Sequence, residues 1–141
     1  MSRRISIHVC TRDRSTELAM LLESLLFQTF KDFDVIIVDG SAPNPVFNTH
    51  FVASLINRLK FEGHGVVGFV AELPGVCFAR QRALEKDPWK DNDFICRLDD
   101  DVVLEPDYLE KLMQVIDAGY DLASGVTPHC ASPRIKREVR F

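Results

Sequence analysis

Short β-branched apolar runs alternate along the chain with longer stretches whose leucines and valines recur every three or four positions. "ISIHVC", Ile5 to Cys10, predicts a strand. Leu18, Leu21, Leu22, Leu25 and Leu26 then share one helical face, with Asp13 or Ser15 as candidate N-caps. "FDVIIVDGS" is a continuous apolar run closing on Asp-Gly-Ser, the pattern of a strand covered on both faces and followed by a turn. Beyond Pro43 and Pro45, the residues Val52, Leu55, Ile56 and Leu59 predict a second helix. "GVVGFV" predicts a third strand, Val76 to about Lys86 a third helix, and Asp93 to Leu98 a fourth strand. Pro106 suits the first position of a fourth helix with Leu109, Leu112, Met113 and Ile116 on one face, and Gly119 suits its end. "YDLASGV" predicts a fifth strand. Such alternation implies an α/β fold, a three-layer α/β/α sandwich around a mostly parallel sheet joined by right-handed crossovers.

Composition narrows the setting without changing that picture. The 141 residues, 46% hydrophobic and 27% charged, suit a single globular domain. Residues 1–128 read as that domain, and 129–141 as a basic tail carrying Arg134, Lys136, Arg137 and Arg140, mobile or the start of an absent half. A net charge of -4 argues against a nucleic-acid partner. No apolar run approaches the roughly 20 residues of a membrane span, and the N-terminus lacks a secretory signal. The expected location is cytoplasmic, with the basic tail leaving room for peripheral association with the inner face of the membrane. Cys10, Cys77, Cys96 and Cys130 form no CxxC pair and read as reduced, buried small hydrophobes. His8 reads as a core or edge residue, and His129 as a loop residue or an additional metal ligand.

The candidate chemistry lies at the carboxyl ends of the predicted strands, where open α/β sheets bind ligands. Strand one ends in "CTRDR", strand two in "DGS", strand three in "AELPG" and strand four in "DDD". Asp99, Asp100 and Asp101 stand too far ahead of Pro106 to be helix caps. Crowded carboxylates at a partly desolvated rim repel one another unless a cation offsets them. An all-oxygen set favours Mg²⁺ or Mn²⁺, which commonly binds one or two carboxylates together with substrate phosphates.

Three segments in series resemble the family-2 glycosyltransferases of the GT-A, Rossmann-like fold. "ISIHVCTRDRSTELAMLLESLLFQTFKDFDVIIVDGS" is similar to the family's opening, "PGVCFARQRALE" to its Gly-Val-x-x-Ala-Arg-Asn segment, and "RLDDDVVLEPDYLEKL" to its Asp-x-Asp motif. The resemblance implies transfer of a sugar, with inversion, from a nucleotide-diphosphate donor held through Mn²⁺ or Mg²⁺, a UDP-sugar before a GDP-sugar, to an unknown acceptor. It places Thr11, Arg14 and Ser41 at the nucleotide pocket, Asp39 toward the base and Arg80 toward the base or diphosphate. Asp99 falls near the ribose or metal, Asp101 on the metal and Asp100 at the variable position.

Departures stand beside the matches. Cys10 replaces a frequent proline, Asp13 a frequent asparagine, Gly40 a second aspartate and Gln81 an asparagine. Family members also carry a downstream carboxylate that deprotonates the acceptor hydroxyl. Glu138, the only carboxylate after Asp121, sits in no matching motif, so the expectation is a portion of a longer protein that lacks its general base. Two rivals follow: a nucleotide-binding module without turnover, and a haloacid-dehalogenase-like phosphatase, whose Asp-x-Asp-x-Val pattern "DDDVV" also satisfies.

Overall fold

The computed structural model describes residues 3–125. Its apolar runs become four strands, β1 (Ile5–Thr11), β2 (Phe33–Asp39), β3 (Val66–Val70) and β4 (Phe94–Asp99). All neighbouring strands are parallel, in the order β3-β2-β1-β4. Between them run α1 (Ser15–Leu26), α2 (His50–Phe61) and α3 (Val76–Lys86), and α4 (Tyr108–Asp117) follows β4.

Alternation along each strand sorts the side chains onto two faces. Ile5, Ile7 and Val9 of β1 and Phe33, Val35 and Ile37 of β2 pack against Leu18, Leu21, Leu22 and Leu25 of α1. Val52 and Leu59 of α2 and Leu109 and Met113 of α4 join the same core. On the other face Ile36 and Val38 meet Ala79 and Ala83 of α3. Two alanines one turn apart let that helix lie close to β1 and β2. Helices thus cover both faces, which makes the expected three layers.

Local signals account for most helix ends, and the exceptions are informative. Neither Asp13 nor Ser15 caps α1. The N-cap is Arg14, and no side chain bonds the helix start. Asp13 instead adopts a positive φ of 54°, and its backbone N–H donates to Ser41 Oγ at 2.7 Å. Pro106 lies before α4 rather than at its first position, because its carbonyl accepts from the Thr29 N–H at 2.8 Å. Gln28 supplies the missing cap: its Oε1 accepts from the Leu109 N–H at 3.0 Å and its Nε2 donates to the Glu105 carbonyl at 2.8 Å. Gly119, at φ +98°, ends α4 as expected.

The predicted fifth strand is not formed over residues 120–125. Leu122 is 84% exposed there, and a segment with no sheet partner on its far side has little to gain from extending. The cysteines also divide. Cys10 and Cys96 are half-buried and free, whereas Cys77, in the first turn of α3, is exposed, a correction to the uniformly buried expectation. Burial pushes the Cys96 thiol up to about 12. Cys130, His129, Glu138 and the basic tail lie outside the described residues. No helix among the described residues is long and apolar enough to cross a membrane.

Candidate nucleotide-sugar site

In this strand order the chain runs outward from β1 through β2 to β3, then returns on the opposite side of β1 as β4. The helices that follow β1 and β4, α1 and α4, pack on one face of the sheet, while α3 covers the other face over β1 and β2, so a crevice stays open on the α3 side of the carboxyl ends of β1 and β4, the place where such sheets bind ligands. A cavity of about 550 Å³ occupies it, within the size range of small-molecule sites. Thr11, Arg12 and Arg14 line it from β1, Arg97 and Asp99 to Asp101 from β4, and Gly75, Val76, Ala79 and Arg80 from α3.

The three aspartates are not equivalent. Asp100 is buried at 6% exposure and accepts from Thr11 Oγ1 at 2.8 Å and from Arg14 Nη1 at 3.2 Å. Asp99 and Asp101 have side chains 73% and 52% exposed. Arg80 Nη2 lies 3.6 Å from Asp99, and Arg14 Nη1 3.2 Å from Asp101. The carboxylate at the variable position thus anchors the turn to β1, and the two flanking it remain available to a ligand. The attraction of Asp100 above all, with its hydrogen bond and the charge of Asp101, raises the Arg14 pKa. Part of the expected neutralisation of the acidic turn therefore comes from the protein's own arginines.

Asp39 and Ser41 serve the site from behind. Asp39 is fully buried; one carboxylate oxygen accepts from the Ser41 N–H at 2.8 Å and the other from the Val46 N–H. Its hydrogen bonds close the loop after β2, so in this structure it acts as a loop cap rather than facing the cavity. Ser41 Oγ in turn holds the backbone of Asp13, fixing the turn that aims Arg14. Thr11, Arg14, Arg80, Asp99, Asp100 and Asp101 are brought together as the sequence implied; Asp39 and Ser41 are not among the residues that line the cavity.

Sequence reasoning missed several lining groups. Gly75, at φ +117°, starts α3 without a side-chain cap, so the first turn presents backbone N–H groups toward the cavity. The "LPGV" run after β3 was the available signal. Arg97 is a charge inside the apolar run "FICRL", and that interruption marked it. His8 lies at the bottom, buried, with its Nε2 donating to Asp87 Oδ2 at 3.0 Å.

Burial raises the Cys10 thiol pKa, Asp99 and Asp100 add to the rise, and Arg80 and Arg97 oppose it. All four charged groups thus act on one point of the cavity wall. Among the described residues no three His, Cys, Asp or Glu side chains gather as a metal cage. Asp99 and Asp101 fit the other pattern of a hard divalent ion, a pair of exposed carboxylates that leaves most coordination positions to phosphates and water.

No curated protein matches the sequence. Among solved structures, TarS of S. aureus aligns with a TM-score of 0.60 at 24% identity, over 82% of this chain and 20% of that one. TarS 1–349 in complex with UDP-GlcNAc aligns at 0.57 and 24% identity, and in complex with UDP at 0.61 and 21% identity. Those two alignments cover 82% of this chain and 31% and 32% of the other. The chain therefore spans about a third or less of the length of these structural neighbours, which at such identity speak for the fold. The sequence model described as Glycosyl transferase family 2 matches residues 6–139, and the chain belongs to that family of glycosyltransferases.

Proposed function

We propose that the crevice binds a nucleotide-diphosphate sugar, a UDP-sugar before a GDP-sugar, and that the chain is the donor-binding part of an enzyme transferring a hexosyl group, with inversion, to an acceptor. One observation carries the reading. In a family-2 chain, arginines from β1 and α3 and carboxylates from β4 meet at the switch point of the sheet, around a cavity large enough for a nucleotide. The UDP-GlcNAc and UDP bound by the TarS neighbours make uridine the first choice of base.

Asp99 and Asp101 would hold Mn²⁺ or Mg²⁺. When bound, the ion neutralises charge that builds on the departing nucleoside diphosphate. The remaining work falls to the chain's own residues. Asp100, tied to Thr11 and Arg14, keeps the acidic turn from drifting, so the flanking carboxylates stay where charge develops. Preorganisation of this kind is what makes electrostatic stabilisation effective. Arg80, 3.6 Å from Asp99, can exchange that carboxylate for a phosphate oxygen without moving its backbone, and a guanidinium fork suits such oxygens. Asp39 and Ser41 act by holding the loop behind Thr11 and Arg14. The general base that takes the acceptor proton is to be supplied by residues other than these.

The test is thermal denaturation with UDP and UDP-GlcNAc, each with and without Mn²⁺. At a hundredfold excess over Kd, bound ligand should stabilise the wild type by about 2.7 kcal/mol. Asp101→Ala should lose the metal-dependent part of that gain with its own folding stability within about 0.5 kcal/mol of wild type, as for an exposed side chain. An unchanged, metal-dependent gain in the variant would refute the role given to Asp101. Hydrolysis of the donor by the wild type would separate an enzyme from a module that only binds.

A further inference from the structure

Among the described residues, Arg97 is an arginine of the crevice with no carboxylate partner. It stands inside β4, paired in register with His8 of β1, so its backbone is fixed by a sheet rather than a loop. Arg14 is ion-paired with Asp100 and Asp101, Arg80 with Asp99, and Arg12 with Asp13 at 3.6 Å. Among the described residues Arg97 has no such partner, yet it lines the same cavity. Alternation puts it on the face of β4 opposite Leu98, which packs into the α1 side of the core. That face of β4 is open, with Ile95 50% exposed and Arg97 exposed beside it, and a solvated arginine with no partner contributes little to the fold. The buried His8 beside it presents no complement: its Nδ1 has no partner, and its Nε2 is spent on Asp87.

We propose that Arg97 binds an anionic oxygen group of the nucleotide sugar, forming an anion subsite in the crevice apart from the acidic turn. The inference rests on the nucleotide-sugar reading and deepens it. A ligand phosphate meets in Arg97 a guanidinium with all its donors free of carboxylates among the described residues, whereas Arg14 and Arg80 share theirs with Asp100, Asp101 and Asp99. The same chemistry recognises either a phosphate of the diphosphate bridge or a carboxylate on the sugar, as in a uronic acid.

Binding would be measured by calorimetry for the wild type, Arg97→Gln and Arg97→Lys. The probes are uridine, UDP, GDP, UDP-glucose, UDP-glucuronic acid and inorganic pyrophosphate, with Mn²⁺ present. The phosphate source predicts that Arg97→Gln weakens UDP, UDP-glucose and pyrophosphate binding about ten- to a hundredfold, as for loss of a charge-assisted hydrogen bond, and leaves uridine unchanged. Arg97→Lys should recover part of the loss. The carboxylate source predicts that the loss is confined to UDP-glucuronic acid. Equal losses for every ligand including uridine, or none for any, would overturn the subsite while leaving the nucleotide-sugar reading intact. Pyrophosphate binding that needs Arg97, in a protein that takes no nucleotide, would keep the subsite and sink the broader reading. A wild type that binds neither would sink both.

Discussion

The two ends of the sheet both place arginine against aspartate, and they do so to opposite purposes. At the amino end Asp34 is almost wholly enclosed, its side chain 2% exposed. Arg4 donates to it from Nε at 2.6 Å and from Nη2 at 2.8 Å, Gly65 from its backbone N–H at 2.8 Å and Asn92 from Nδ2 at 3.1 Å. Both carboxylate oxygens are saturated, and nothing is left for a ligand. At the carboxyl end Asp99 and Asp101 keep most of their surface in solvent and meet one arginine each. A closed network stabilises a fold; an open one holds charge in readiness.

Removing Asp34 should produce the largest effect on folding. Asp34→Ala strands the donors of Arg4, Gly65 and Asn92 at a buried point. A cost of about 2–4 kcal/mol in urea denaturation is expected, held to the lower part of the range by the exposure of Arg4. Nucleotide affinity should not change. Burial by itself would raise the Asp34 pKa, but the hydrogen bonds from Arg4, Asn92 and Gly65 outweigh it and hold the carboxyl below its ordinary range. Its contribution is therefore complete above the unfolded-state pKa, near 3.8, and is lost as pH falls through the lower folded-state value. Asp34→Asn should flatten the stability profile below about pH 4. A profile as steep as that of the wild type would show that other carboxylates set the acid limit.

Asp100 lies between the two extremes and should give the intermediate result. It is buried like Asp34 but sits in the site like Asp101, and its partners Thr11 and Arg14 are both at the mouth of the crevice. Asp100→Ala should cost about 1–3 kcal/mol for the buried Thr11 hydroxyl left without its acceptor, with Arg14 still paired to Asp101, and should also weaken nucleotide binding, because the turn carrying Asp99 and Asp101 loses its tie to β1. Loss of stability with no loss of affinity would make Asp100 an anchor of the fold alone.

The contrast also explains what the sequence could and could not tell. Four strands, the helices and the parallel arrangement were legible, the expected fifth strand excepted, because apolar period and turn residues are local signals, and "FDVIIVD" or "LAMLLESLL" can hardly be buried in another way. The acidic turn stood out because it follows a strand of an open α/β sheet, whose carboxyl ends are where ligands bind; a run of aspartates elsewhere is more often a solvated turn. The division of labour within it was not. Asp99, Asp100 and Asp101 are the same residue type, and only the path of the turn after β4 brings the middle one against Thr11 and Arg14 while its neighbours stay exposed. The role of Asp39 as a loop cap was one of two readings the sequence left open, whereas that of Gln28 was hidden, because it bonds backbone groups at a helix start fixed by the fold and no spacing in the sequence announces such a bond. The expected caps of α1 failed because Ser41, distant in sequence, takes the Asp13 N–H and turns that residue away.

Asp99→Asn should move folding stability least of all. Its side chain is 73% exposed and its ion pair to Arg80 at 3.6 Å is solvent-screened, so the change expected in urea is within about 0.5 kcal/mol. Lost attraction to Arg80 is offset by relief from the neighbouring carboxylates. The same substitution removes half of the carboxylate pair offered to the ion, so the Mn²⁺-dependent rise in melting temperature with UDP should shrink, as is expected for Asp101→Ala, while the metal-free baseline stays put. Pairing the two readouts is what distinguishes the ends of the sheet. A residue of the closed network shifts the baseline and spares the ligand response, and a residue of the open one does the reverse. An Asp99→Asn protein that unfolded early yet kept its full response to UDP and Mn²⁺ would place Asp99 with Asp34, and the acidic turn would then be part of the scaffold.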